Sequence, residues 1–168
     1  TNGFSIVSYQ GDGTASLTVG HGLGSAPTDY MVIIKNRDTV ADWQVWHSGD
    51  SGVRLKLNTN DDDFGNLALT FGTNTLTLPS SNSASWDASG DNFIAYCWKA
   101  TSGVSSFESY SGATGETEIT GLGFRPAFVM IKRSSGTGNW CLYDNTRNTA
   151  NPADLQLFPD TSGDENTS

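Results

Sequence analysis

The chain has 168 residues, nineteen of them glycine, and carries a net charge of −9. This length allows one domain with a substantial core or two small domains that share one, and the abundance of glycine, serine, threonine and asparagine favours many short strands over helices. The acidic charge argues against nucleic acid as a partner, because phosphate binding depends on lysine and arginine, and no run approaches the roughly 20 apolar residues that would insert into a membrane.

The first part of the chain alternates between short strand-like runs and turns. Residues 30–35 form a nearly continuous apolar run, which is typical of a strand that is covered on both faces. Residues 42–47 alternate, which places Trp43 and Val45 on one face and Trp46 on the other. In chain order, we predict strands at residues 5–9, 16–19, 30–35, 42–47, 53–57, 67–71, 75–78 and 92–99.

The second part of the chain repeats the pattern of the first at an offset of 97 to 101 residues. The matches are Tyr9 with Tyr110, Gly11 with Gly112, Gly22-Leu23-Gly24-x-x-Pro27 with Gly121-Leu122-Gly123-x-x-Pro126, Val32 with Val129, Ile34 with Ile131, Lys35 with Lys132, Trp43 with Trp140, and Leu55-x-Leu57 with Leu155-x-Leu157. We therefore predict an all-β protein, an antiparallel β-sandwich of jelly-roll or lectin-like type, built from two tandem copies at residues 1–101 and 102–168 that pack as one sandwich.

The second copy contains no segment that corresponds to the predicted strands at residues 75–78 and 92–99. A sheet without these strands would expose unpaired backbone groups and an apolar face. We expect a strand from one of three sources to complete it: residues beyond Ser168, a neighbouring subunit, or a strand of the first copy that serves both halves.

Aromatic residues near strand ends are candidates for sugar binding, because a ring face stacks on a pyranose. Trp46 and its counterpart Tyr143 are predicted to face away from the Trp43 and Trp140 core, and His47 and Asp144 follow them with polar groups. These four residues form the candidate ligand-binding set. The alternative is that they cover the second face of the sheet.

Asp61, Asp62 and Asp63 lie in one loop and are candidate calcium ligands, since calcium takes several oxygen ligands from a flexible loop. The EF-hand spacing is absent, and the alternative is a solvated acidic loop. Cys97 and Cys141 lie in apolar runs, where two buried thiols are favoured over a bridge between strands.

The sequence lacks a convincing catalytic motif. Glu116 and Glu118 are the only pair of glutamates placed to share a strand face, and that predicted strand looks like a solvated edge. His21 lies in a glycine turn and His47 follows Trp46, without a nucleophile motif near either. We predict that the protein is not an enzyme.

The segments GFSIVSYQGDGTASLTVGHGLGSAP, MVIIKNR, WQVWHS, FIAYCW and GFRPAFVMIKRSSGTGNWCLYDNTRN resemble a repeat domain in tail-fibre-like and other virion structural proteins of marine bacteriophages, cyanophages especially. In that family the second copy continues to an apolar, tyrosine-rich strand like residues 93–98, so the departure at Ser168 favours a chain that is a portion of something longer. The resemblance implies an extracellular setting on a particle and carries over no catalytic or ligand-binding residue.

These observations predict a virion appendage module that assembles with copies of itself or other virion proteins and contacts a host surface glycan through shallow aromatic and polar groups. One alternative is a capsid decoration protein or filament subunit with a purely structural role, which takes its missing strands from neighbours. Another is a secreted bacterial carbohydrate-binding module.

Overall fold

The computed structural model describes residues 3–50, 52–65, 67–79, 84–149 and 152–167, and this part of the chain is almost entirely β. Its one helix is a single 3₁₀ turn at Ser48–Asp50, and none of its helices is long and apolar enough to cross a membrane. The strands are β1 (Phe4–Gln10), β2 (Thr18–Gly20), β3 (Tyr30–Asn36), β4 (Gln44–His47), β5 (Leu55–Lys56), β6 (Thr70–Phe71), β7 (Thr75–Thr77), β8 (Asn92–Lys99), β9 (Phe128–Ile131), β10 (Cys141–Asp144), β11 (Leu155–Gln156) and β12 (Asn166–Thr167).

The strands form antiparallel sheets, which confirms the predicted class. A five-stranded sheet has the order β1-β8-β3-β4-β5, with β8 between β1 and β3, and a three-stranded sheet has the order β2-β7-β6. Both edges of β8 and of β7 are therefore occupied within the first half. Neither strand pairs with the second half. The expectation that a strand of the first copy serves both halves is therefore not met by β7 or β8.

The main core lies between these two sheets. It contains Val32, Ile34 and Trp46 of the five-stranded sheet and Leu76 of the three-stranded sheet. Trp86, from the segment before β8, packs into the same core with its ring at 82° to that of Trp46 and 5.8 Å away between centroids. The predicted double-sided burial of β3 is confirmed, because Ile33 lies in a second cluster on the other face.

The strand predicted at residues 16–19 begins later than expected, at Thr18, because Ser16 has a positive φ of 81° that belongs to a turn. Of residues 53–57, only Leu55–Lys56 form a strand, and the Leu57 N–H donates a further 3.1 Å hydrogen bond to the Trp43 carbonyl oxygen. The strand that would carry Glu116 and Glu118 is absent, since residues 106–127 contain no strand. Both glutamates are exposed there, so they do not flank a groove.

The second half contains two short sheets, β10-β9 and β11-β12, in the described residues. Val129 pairs with Tyr143 and Met130 with Leu142. In the first half Val32 pairs with Trp46 and Ile33 with Val45. Each of these second-half residues lies 97 positions after its first-half counterpart, so the two hairpins have the same register.

Trp140 joins the second half to the first. It is 3% exposed and packs with Ile33, Val45 and Leu55 on the outer face of the five-stranded sheet. Its indole Nε1–H donates a hydrogen bond of 2.7 Å to the Lys56 carbonyl oxygen. The expected core role of Trp140 is confirmed, and Trp43 packs against the same cluster.

Candidate functional site

The β9–β10 hairpin exposes to solvent a face whose counterpart, in the β3–β4 hairpin of the first half, is buried. Val32 and Trp46 are 0% and 2% exposed beneath the three-stranded sheet, whereas Val129 is 36% exposed. Tyr143, the counterpart of Trp46, is partly exposed. We call the surface formed by Val129 and Tyr143 the open face; Phe128 is also exposed but lies on the opposite face of β9.

A shallow cavity of about 200 Å³ lies on the open face. Val129 and Tyr143 line its apolar part, and Arg125, Asp144 and Asn148 contribute polar groups. The Tyr143 hydroxyl is held by a 3.1 Å hydrogen bond with the side-chain oxygen Oε1 of Gln156. An aromatic ring beside a cation, a carboxylate and an amide is suited to a polar ligand with some apolar surface.

Asp144 is held by the turn that follows β10. Its Oδ1 accepts hydrogen bonds from the backbone N–H groups of Thr146 and Arg147, at 3.0 and 2.9 Å. Its Oδ2 accepts a 2.6 Å bond from Arg147 Nε, and the same guanidinium reaches Glu165 Oε2 at 2.5 Å. These backbone and side-chain bonds from Arg147 hold the Asp144 pKa below its usual value. The Asp144 carboxylate therefore stabilises the turn, and its fixed negative charge lines the cavity.

The hairpin also has an unpaired edge. Leu142 exchanges both of its backbone hydrogen bonds with Leu157, at 2.9 and 3.1 Å, so its N–H and C=O point away from β9. Since Met130 lies directly opposite Leu142, its own N–H and C=O point to the other side of β9. Among the described strands only β10 pairs with β9, so Met130 and, by the same alternation, Phe128 present backbone groups to an unpaired edge.

Trp46 and His47 lie elsewhere. The indole of Trp46 is in the main core, where its Nε1–H donates to the Leu67 carbonyl oxygen at 2.7 Å, so its ring offers no face to a sugar. His47 is partly buried at the end of β4, and burial lowers its pKa despite the nearby charges of Asp50 and Asp29. The structure thus separates the predicted set and supports only Tyr143 and Asp144 as residues that line a cavity.

Asp61, Asp62 and Asp63 do not converge on a metal site. Asp61 Oδ2 accepts hydrogen bonds from Thr59 at 3.0 Å and Lys56 at 3.3 Å, so the Asp61 carboxylate is held against these two side chains. Within the described residues no group of three or more histidine, cysteine or acidic side chains is placed to hold a metal ion. Asn66, at the end of this loop, lies outside the described residues. The geometry therefore gives the calcium prediction no support.

Both cysteines are free thiols. Cys97 is fully buried in the main core, and burial raises its pKa to about 11. Cys141 is partly buried on β10. Of the two thiols predicted to be buried and unbonded, both are free in the structure, and Cys97 is fully buried whereas Cys141 is buried only in part.

Sequence reasoning missed Arg125 and Asn148, which line the cavity, and Arg147, which orients Asp144. Arg125 and Asn148 are in loops, where no periodicity indicates which way a side chain points. The three-residue spacing from Asp144 to Arg147 is a signal that was available, because an acidic residue at the start of a turn accepts bonds from residues two and three positions on.

The family described as a domain of unknown function (DUF7483) matches residues 1–168, the whole of the chain. Comparisons with curated proteins and with solved structures give no match.

Proposed function

The chain belongs to the DUF7483 family of domains of unknown function, and from that premise we propose that it is a non-enzymatic structural module of a virion appendage that joins neighbouring subunits through its second half. Its setting on a bacteriophage particle, outside the host cell, rests on the sequence resemblance. Its partners are copies of itself or other virion proteins. The observation that carries the assembly role is the open face of β9 and β10 together with the unpaired edge of β9.

Two energetic arguments support an assembly role for this surface. Burying apolar area contributes about 25 cal/mol per Å², and Val129 of the open face is 36% exposed, as is 58% of Phe128 on the opposite face of the same strand. An unpaired strand edge also invites pairing with another chain, and folded proteins usually cover or charge such an edge. The open face has neither a covering sheet nor a charged residue within β9. A neighbouring subunit that covered the open face and paired with β9 would bury the exposed apolar surface and satisfy the unpaired backbone groups.

We infer that the fold is a β-sandwich of two tandem copies, and that the described residues of the second copy include counterparts of β3, β4 and β5. Support comes from the register that β9–β10 shares with β3–β4, and from Trp140, which follows Trp43 by the same 97 positions. The open face then corresponds to the face of β3 and β4 that is buried in the first copy.

Sedimentation velocity over a range of concentrations tests this function. We expect concentration-dependent association of the chain and its loss in Val129→Glu, which places a charge in the open face. Val40→Glu is the matched control, because Val40 is fully exposed in a loop of the first half. A folded protein that stays monomeric at every concentration would contradict assembly with copies of itself.

A second candidate function, contact with a host surface glycan, is favoured by the cavity at Tyr143. The ring lies beside Arg125, and a guanidinium donates hydrogen bonds to hydroxyl and acidic groups of sugars. Binding on a glycan array should be weakened by Tyr143→Ala. Tyr110→Ala, which removes an exposed tyrosine outside the cavity, should leave it unchanged. Equal binding by both variants would exclude this cavity as the glycan site.

A further inference from the structure

We infer that a cavity in the first half binds one sugar residue that carries a carboxylate group, a uronic acid. The cavity has a volume of about 240 Å³ and lies where residues 25–29 meet Lys99 and Ala100 at the end of β8. It shares no lining residue with the cavity at Tyr143. This site goes beyond the proposed function, because it adds a second place of glycan contact that is independent of the open face.

The size and lining of the cavity suit a single sugar ring. Its volume lies below the roughly 300–1,000 Å³ of sites that enclose drug-sized ligands. Pro27 and two alanines form the apolar part of the lining, and the hydroxyls of Ser25 and Thr28 belong to its polar part. A pyranose presents C–H groups on its ring face and hydroxyl groups around its edge, so it matches both parts.

Lys99 gives the cavity a positive charge without a carboxylate partner. Its Nζ donates hydrogen bonds of 3.1 Å to the Leu23 carbonyl oxygen and of 3.2 Å to Ser25 Oγ. Both acceptors are neutral, and among the described residues no carboxylate forms an ion pair with Lys99. An ammonium group has three donors, so the third N–H and the unbalanced charge of Lys99 can bind a carboxylate of the ligand.

Asp29 supplies a fixed carboxylate in the same lining. Its Oδ1 accepts a 2.5 Å hydrogen bond from Ser48 Oγ, and its backbone carbonyl oxygen accepts a 2.8 Å bond from the Ala100 N–H. The other carboxylate oxygen, Oδ2, is left to accept a hydrogen bond from a ligand hydroxyl. The negative charge of Asp29 disfavours a doubly charged anion such as phosphate, so a singly charged carboxylate fits this cavity better.

The loop that lines the cavity is fixed by the core beneath it. Leu23 is 0% exposed in the main core, and its N–H donates a 3.0 Å hydrogen bond to Nδ1 of the buried His21. Because Nδ1 is an acceptor, Nε2 carries the ring proton and donates to the Gly72 carbonyl oxygen at 3.2 Å. Gly22 and Gly24 have positive φ angles of 69° and 76°, which glycine adopts without strain. A loop held in this way loses little conformational freedom when a ligand binds.

The repeated sequence motif borders a cavity in both halves. The Gly-Leu-Gly-x-x-Pro motif occurs at residues 22–27 and 121–126, and its proline lines a cavity each time. Each lining also includes one cation and one carboxylate, Lys99 with Asp29 in the first half and Arg125 with Asp144 in the second. This recurrence supports a ligand-binding role for the loop that the motif forms.

NMR titration of the whole chain with methyl glucuronide tests the site. The backbone amide signals of Ser25, Thr28 and Ala100 should shift and saturate, since these residues line the cavity. Methyl glucoside has the same ring with a hydroxymethyl group in place of the carboxylate, and it should bind about tenfold more weakly. Added salt should weaken glucuronide binding and leave glucoside binding nearly unchanged, because it screens the attraction to Lys99.

Matched variants identify the charge that binds the ligand. Ser25→Asp places a carboxylate beside Lys99 Nζ, so it should weaken glucuronide binding about tenfold and glucoside binding much less. Ser8→Asp makes the same change at an exposed position of β1 outside the cavity, and it should leave glucuronide binding within about twofold. Lys99→Met removes the cation and should match Ser25→Asp. If Lys99→Met unfolds because the bond to Leu23 is lost, Ser25→Asp still decides the result.

The outcomes separate this site from the glycan contact at Tyr143. Binding that fails in Ser25→Asp and persists in Tyr143→Ala supports the site. Binding that fails in Tyr143→Ala and persists in Ser25→Asp leaves the second candidate function standing and overturns a site at Lys99. The inference is also overturned by the absence of shifts at Ser25, Thr28 and Ala100, or by equal binding of glucuronide and glucoside. Tighter binding of free alanine, a zwitterion, would make an amino acid the ligand and would overturn the sugar.

Discussion

Residues of the same type occupy different surroundings in the two halves. The Tyr9 hydroxyl donates a 2.8 Å hydrogen bond to the Trp86 carbonyl oxygen, and burial raises its pKa well above the ordinary value. Tyr110, its counterpart in sequence, is half exposed. The difference comes from the segment around Trp86 and β8, which contacts Tyr9 in the first half and has no counterpart beside Tyr110 among the described residues. Burial at a single position is therefore decided by an element distant in the chain.

Glycine substitutions measure this difference. A Cβ at position 11 would collide with the Ala88 carbonyl oxygen, whereas a Cβ at position 112 meets no atom within 4 Å. Gly11→Ala should lower the free energy of unfolding by about 1–3 kcal/mol, and Gly112→Ala should change it by about 0.5 kcal/mol or less. Urea unfolding of the two variants provides the comparison. Equal losses would mean that position 112 is also closely packed in solution.

The two thiols should differ in reactivity, because the thiolate is the reactive form and needs access to solvent. Cys97 is fully buried with its pKa raised to about 11, whereas Cys141 is only partly buried. Iodoacetamide at pH 8 should modify Cys141 in the native protein and Cys97 only after denaturation, as read by mass spectrometry. If denatured protein accepts no label without reductant, the two residues are bonded to each other.

At the scale of elements, the sequence predicts strands well where both partners are present. The apolar runs of β3 and β8 and the alternating faces of β4 were predicted correctly, because their side chains pack on neighbours within the first half. The strand expected around Glu116 is absent, since a strand forms only when another supplies its hydrogen bonds. Of the candidate site, Tyr143 and Asp144 were predicted to be available to a ligand, whereas the burial of Trp46 depends on the three-stranded sheet above it.

Hydrogen exchange of the chain alone should reflect these partners. The amides of β8 bond to β1 and β3 on its two sides, so those of Ala95 and Cys97 should exchange among the slowest. Residues 107–110 have the sequence pattern of β1 without a strand beside them, and their amides should exchange orders of magnitude faster. Slow exchange at residues 107–110 would show that a sheet partner is already present in solution.

Trp140 and Met130 of the second half pack against the outer face of the first half, and hydrogen bonds also join the two halves. Besides Trp140, the Gly138 N–H donates to the Asn60 carbonyl oxygen at 2.9 Å, and the Asp63 N–H donates to the Ser134 carbonyl oxygen at 3.1 Å. The first half has a core between two sheets, whereas the second half relies on the outer face of the five-stranded sheet. The second half should therefore unfold before the first half when the contact between the two halves is weakened.

Substitution of Trp140 tests this hierarchy. Removing a buried tryptophan costs about 3–5 kcal/mol, and here the loss falls on the contact between the halves. In Trp140→Ala we expect faster exchange at Val129 and Leu142 and nearly unchanged exchange at Ala95. Trp140→Phe, which keeps a ring but loses the bond to Lys56, should give a smaller effect. Equal acceleration of exchange at Ala95 and Leu142 would instead mean that both halves unfold as one cooperative unit. The second half would then contribute to the stability of the first.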